Sequence, residues 1–75
     1  MHFQKIRESD AILIVNQEKK GVKGYIGGAV FLEMGVAYFL GKTIFLLNQI
    51  PEMAYTDEIR IMKPVILGGD LSRLA

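Results

Sequence analysis

Apolar residues fall in three short unbroken runs, set apart by polar stretches and by glycine or proline. Ala11-Ile12-Leu13-Ile14-Val15 is closed by Asn16, Thr43-Ile44-Phe45-Leu46-Leu47 by Asn48, and Val65-Ile66-Leu67 by Gly68-Gly69. Runs of this length, rich in β-branched residues and without polar alternation, predict strands buried on both faces, as in parallel sheets. Between the first two runs the period changes. From about Ala29 to Leu40, Val30, Met34, Ala37 and Gly41 share one stripe with Phe31 and Tyr38 beside it, which predicts a helix. Gly41 supplies its stop and Lys42 complements its C-terminal dipole. Thr56 is placed to cap a short helix with Asp57 and Glu58 in the first turn, Ile59 and Met62 facing inward, and Pro64 as breaker. Near the start, Phe3 and Ile6 lie three apart among polar neighbours, as in the last turns of an amphipathic helix. Residues 17–28 hold four glycines and three lysines without periodicity and predict a loop.

The order helix end, strand, helix, strand, short helix, strand predicts an α/β fold. It implies right-handed crossovers and a short parallel sheet of about three strands flanked by helices, all within one small domain over residues 1–75. In open parallel sheets ligands bind beyond the carboxyl ends of the strands. That rim is predicted to comprise Asn16, loop 17–28, Asn48 and loop 49–55. Asn16, Gly27, Gly28 and Asn48 are accordingly the candidate substrate-binding residues.

Charge and composition narrow the partners. A formal net charge of +1 offers no basic field for nucleic acid. With no cysteine and one histidine, His2, no metal site is expected, and no cofactor is called for. The N-terminus is polar where a signal peptide would be apolar. Glu33 and Lys42 interrupt the apolar segment 25–50 before ~20 residues are reached, so membrane insertion is not expected and a cytoplasmic location is. A hydrophobic content of 51% is more than so small a domain easily hides, which points to self-association.

Glu33 carries the strongest chemical signal. It is the only charge in Tyr25–Gly41, and its helix neighbours Ala29, Val30, Val36 and Ala37 include no lysine or arginine. Burying a polar group without partners costs about 2–7 kcal/mol, and a charge more. A carboxylate here is therefore either solvated on the outer face of its helix or used at the rim, near the positive helix end. Gly24-Tyr25-Ile26-Gly27-Gly28 departs from the dinucleotide and phosphate-loop patterns; it is a weak anion cradle or simply a flexible helix entry. Lys19, Lys20 and Lys23 form a solvated loop or an anion-binding lid.

The segment Phe31-Leu32-Glu33-Met34-Gly35-Val36-Ala37-Tyr38, followed by Leu40-Gly41-Lys42 and an apolar strand, resembles the nucleoside 2-deoxyribosyltransferase-like family. Ser9-Asp10-Ala11-Ile12-Leu13-Ile14-Val15 extends the likeness, which covers residues 9–48 and thins afterwards. The resemblance implies half of a flavodoxin-like or Rossmann-like domain, lacking the N-terminal β-α-β portion. It implies cleavage or transfer of the N-glycosidic bond of a nucleoside or nucleotide, with Glu33 as nucleophile and Asp10 either assisting or only ending the preceding helix. The family's further acidic residue before the loop glycines has no counterpart in Val22-Lys23-Gly24-Tyr25-Ile26. The alternative is a non-catalytic family member acting as a nucleotide-binding or oligomerising module. Without a preceding strand, Ala11–Val15 becomes an apolar edge, and a homo-oligomer through that edge or adjacent helices is expected.

Overall fold

The computed structural model describes residues 10–74, so the helix end predicted around Phe3 and Ile6 lies outside the described residues. Three strands, β1 (Ala11–Ile14), β2 (Thr43–Leu46) and β3 (Val65–Ile66), form a parallel sheet in the order β1-β2-β3. Helix α1 (Gly28–Phe39) connects the first pair and α2 (Thr56–Ile61) the second, and a 3-10 turn covers Leu71–Leu74. The predicted α/β arrangement is therefore present, with two βα crossovers and β2 at the centre.

The strands do not bury both faces. In register, Ile12 pairs with Ile44 and Ile14 with Leu46, so these four share one face, and all are buried. On the other face Leu13 and Phe45 are half-buried, Ala11 and Thr43 are exposed, and Val65, beside Phe45, is 43% exposed. The physical reason is one-sided cover. Met34 and Ala37 of α1 and Ile59 of α2 join Ile12, Ile14, Ile44 and Leu46, with Ile26, in a single cluster. β1 also ends one residue early, and Val15 is 54% exposed.

Helix α1 stops as its sequence predicts. Gly41 has φ +73°, its N–H bonds to the Tyr38 carbonyl at 3.0 Å, and the Lys42 N–H reaches the Ala37 carbonyl at 2.9 Å. This is a Schellman ending, in which a left-handed glycine satisfies carbonyls left over by the last turn. Thr56 behaves differently from expectation. It is the first residue of α2, not the residue before it, and makes no cap bond. Its buried hydroxyl accepts the Met53 N–H at 2.6 Å and faces the Pro51 and Met53 carbonyls at 2.7 and 2.8 Å. It thereby closes loop 51–55 against the helix. Ile59 is fully buried and Met62 partly so, as predicted.

Candidate functional site

The rim is assembled by one buried side chain. Asn16, 2% exposed, follows β1 and reaches across to the segment that follows β2. Its Oδ1 accepts the Asn48 N–H at 2.9 Å. Its Nδ2 lies 3.2 Å from the Gly24 carbonyl, 3.1 Å from that of Asn48 and 3.0 Å from that of Gln49. Asn48 reciprocates, donating from Nδ2 to the Asn16 carbonyl at 2.9 Å. An amide suits this position because it supplies an acceptor and two donors at once, and every group it meets is backbone. Asn16 was expected to bind substrate. Both polar ends of its side chain are engaged by backbone groups of the protein, so its observed role is to build the rim.

Loop 17–28 is more ordered than its composition suggests. Lys19 and Val22 exchange backbone bonds of 3.2 and 3.0 Å across Lys20 (φ +54°) and Gly21 (φ +76°). Two consecutive left-handed residues define a type I′ hairpin turn. The Lys19 and Lys20 ammonium groups lie 5.8 and 5.9 Å from the Tyr25 ring centroid, so two of the three loop lysines flank an aromatic face. Gly24 is the glycine the loop requires: φ is +71°, and a Cβ there would stand 2.2 Å from the Gln49 carbonyl oxygen. Gly27 and Gly28, the predicted binding glycines, are under no such constraint. Gly27 precedes α1 with an extended backbone (φ −72°, ψ 166°), and Gly28 is its exposed first residue.

Of the clefts on this rim, two are lined by Glu18. The larger, about 410 Å³, is also lined by Lys23, Gly24, Asn48, Gln49, Ile66 and Gly68. The second, about 340 Å³, lies beside β1 and is lined by Val15, Gln17, Glu18, Lys19, Tyr25, Gly27 and Val30. Asn48 and Gly27 thus line rim clefts as predicted, whereas Gly28 lies on the outer side of α1.

Glu33 is the sixth residue of α1, half-buried, roughly 7–8 Å along the axis from the helix start. It sits one turn beyond Val30, a wall of the smaller cleft. Its flank can be assigned. Phe31 stacks on Tyr55, centroids 4.3 Å apart and planes 19° off parallel, on the side leading to α2 and β3. Two residues on, about 200° around the axis, Glu33 occupies the opposite flank, toward β1. Asp10 is not near this rim. It is exposed at the start of β1, where its carbonyl accepts the Thr43 N–H at 3.2 Å. Asn16 lies six residues further on, about 20 Å of extended chain. Asp10 thus lies at the far end of β1 from these clefts, and Glu18 is the carboxylate that lines both.

Tyr55 anchors the other flank. Its hydroxyl donates to the Ile26 carbonyl, fixing the entry to α1. Burial raises its pKa above the ordinary tyrosine value, and the neighbouring Tyr25 adds to the rise. Neither Tyr55 nor Tyr25 was singled out by the sequence. An aromatic residue among loop glycines was the available signal for Tyr25, whereas the partner of Phe31 is fixed only by tertiary packing. Among the described residues no group of three or more His, Asp, Glu or Cys is placed to hold a metal ion. No helix among them is long and apolar enough to cross a membrane.

Comparison with protein-family models, curated proteins and solved structures finds no match to this chain. The resemblance therefore rests on residues 9–48 themselves.

Proposed function

We propose that the chain is a nucleoside 2-deoxyribosyltransferase-like protein that cleaves or transfers the N-glycosidic bond of a (deoxy)nucleoside or nucleotide, with Glu33 as nucleophile. The observation that supports this reading is the position of Glu33, on the second turn of a helix leaving the rim and one turn beyond Val30, which lines the smaller cleft. The Glu33 carboxylate attacks the anomeric carbon as the bond to the base nitrogen breaks. The bonding pair leaves with the base, which takes a proton, and the sugar remains as a glycosyl ester on the enzyme. A second base, or water, then attacks the anomeric carbon, regenerates the carboxylate and gives up its proton. Glu18 in the cleft is the group positioned to carry these protons, and the Tyr25 ring offers a face on which a base can stack.

The test is base exchange. The protein is incubated with a 2-deoxynucleoside and a different free base, and products are separated by chromatography. Exchange abolished in Glu33→Gln and Glu33→Ala, reduced in Glu18→Gln and retained in Asp10→Asn supports the reading. Exchange that survives Glu33→Gln overturns it.

One observation favours a second reading, a non-catalytic nucleotide-binding module. The two carboxylates that the resemblance assigns to catalysis, Glu33 and Asp10, do not converge on one cleft. Thermal stabilisation by nucleosides or nucleotides without any exchange marks that outcome.

A further inference from the structure

The outer face of α1 is as apolar as its inner face. Of its twelve residues only Glu33 and Tyr38 bear polar side chains, and neither belongs to the face turned from the sheet. That face is a shallow groove of about 740 Å³ lined by Gly28, Phe31, Leu32, Gly35, Val36, Phe39 and Leu40. Phe39 is 87% exposed and Leu32 60%. A surface helix normally presents a polar outer stripe, and a helix that is apolar all round is normally buried all round. At twelve residues α1 is far too short to span a bilayer.

The glycines sharpen the anomaly. Among the described residues a Cβ at Gly35 or Gly28 would meet nothing within 4 Å, so packing among them does not call for either. Glycine inside a helix is unfavourable relative to alanine. Gly35 thus leaves open space on the apolar face, next to the projecting Phe39 one turn away.

We propose that this face of α1 is a self-association surface, occupied by the α1 of a second copy of the chain in an antiparallel two-fold arrangement. Area and shape both favour this occupant. Taking roughly 200 Å² for a phenylalanine and somewhat less for a leucine, the exposed parts of the face amount to on the order of 450 Å² per copy. A symmetric pair that covers all of it buries on the order of 900 Å², close to the ~1,000 Å² at which specific interfaces begin. The face is also self-complementary, which a two-fold contact requires. With the axis near Gly35, Phe39 of each copy, four residues past the axis, lies opposite Phe31 and Leu32 of the other. Gly35 lets the helix axes approach closely at the crossing. The edge of β1, by contrast, offers four residues.

The full chain is examined by size-exclusion chromatography with light scattering at about 100 μM, with circular dichroism to confirm folding. A dimer of twice the 8.4 kDa chain mass is expected. Phe39→Glu, at an 87% exposed site, should give a folded monomer. Because the chain has no cysteine, Val36→Cys is expected to form a disulfide-linked dimer on mild oxidation, and Ile61→Cys, exposed on α2, is not. A wild-type monomer overturns the proposal, whether residues 1–9 or a different protein cover the face. A dimer that survives Phe39→Glu, or that cross-links equally through both cysteine positions, assigns the contact elsewhere and overturns it too.

Discussion

Replacing Asn16 removes the one side chain that ties the end of β1 to both rim loops, so its loss should be felt across the domain. In Asn16→Ala the Asn48 N–H loses its acceptor, and the carbonyls of Gly24, Asn48 and Gln49 lose a donor, at a site where Asn16 is 2% exposed. Each buried group left unsatisfied costs about 1–3 kcal/mol, less for carbonyls that keep another partner or reach water. A total of about 3–5 kcal/mol is expected, against roughly 4–11 kcal/mol for the global stability of a domain this small. Asn16→Asp is the more telling variant because it keeps the shape. One carboxylate oxygen still accepts from Asn48, but the other faces three carbonyl oxygens at the present 3.0–3.2 Å. Protonation relieves that repulsion, so the folded-state pKa of the introduced carboxyl is raised. The raised pKa means that stability is present at low pH and lost as pH rises through the folded value. Urea unfolding followed by circular dichroism at pH 4.5 and pH 7.5 measures both effects. Asn16→Asp should have the lower midpoint at pH 7.5 and recover part of the loss, relative to wild type, at pH 4.5. If both variants stay within about 0.5 kcal/mol of wild type at both pH values, Asn16 does not hold the rim together.

Other variants probe the same scaffold. Gly24→Ala should cost at least ~2–3 kcal/mol, because the backbone is left-handed and the new Cβ would collide with the Gln49 carbonyl. Gly21→Ala, equally left-handed but with open space around it, should cost only about 1 kcal/mol, and equal urea midpoints for the two would refute the collision. Lys63 sits at φ +52° just after α2 and before Pro64, so Lys63→Gly should raise stability by about 0.5–1 kcal/mol, read as a higher melting temperature. Asp70 accepts the Ser72 hydroxyl at 2.6 Å and the Ser72 N–H at 3.0 Å; these bonds, with a smaller contribution from Arg73, lower its pKa. The stabilisation is present above the ordinary carboxylate value and lost as pH falls through the lowered folded one. In an NMR titration of the Asp70 carboxyl, Ser72→Ala should move the midpoint upward, and an unmoved midpoint would remove Ser72 as the cause.

The parts legible in the sequence were those governed by local rules. Gly41 followed by Lys42 announced the end of α1 because a left-handed glycine is the usual solution to unsatisfied carbonyls there. The three apolar runs became three parallel strands in chain order. Their burial was not legible in the same way: an unbroken apolar run is compatible with one covered face or two, and only the placement of α1 and α2 decides. Leu13 and Phe45 are as apolar as Ile12 and Ile44 but lie on the less covered face. Thr56 is a good cap former by type, yet its hydroxyl oxygen accepts the Met53 N–H of the preceding loop in place of a helix N–H.

At the candidate site the reach of sequence was shorter. It identified Glu33 by its isolation among apolar residues, and it placed Asn16 and Asn48 at the strand ends. It assigned Asn16 a ligand, and the fold gives its side chain four backbone atoms to hold while the Asn48 side chain holds the Asn16 carbonyl in return. Asp10 was attractive as a carboxylate flanking a strand, but strand polarity sets it at the end away from the rim. Glu18 lay in a lysine-rich loop that read as solvent-exposed, and only the hairpin at Lys19–Val22 and the Tyr25 ring show how that loop walls a cleft.

The most direct test of the central claim is to look for the covalent intermediate on Glu33. The protein is mixed with a 2-deoxynucleoside without an acceptor base, quenched in acid and examined by intact mass spectrometry and peptide mapping. The expected result is a 2-deoxyribosyl adduct on the peptide containing Glu33, discharged by adding a free base and missing in Glu33→Gln. Base release without an adduct at Glu33, or an adduct that persists in Glu33→Gln, would contradict the assignment of Glu33 as nucleophile.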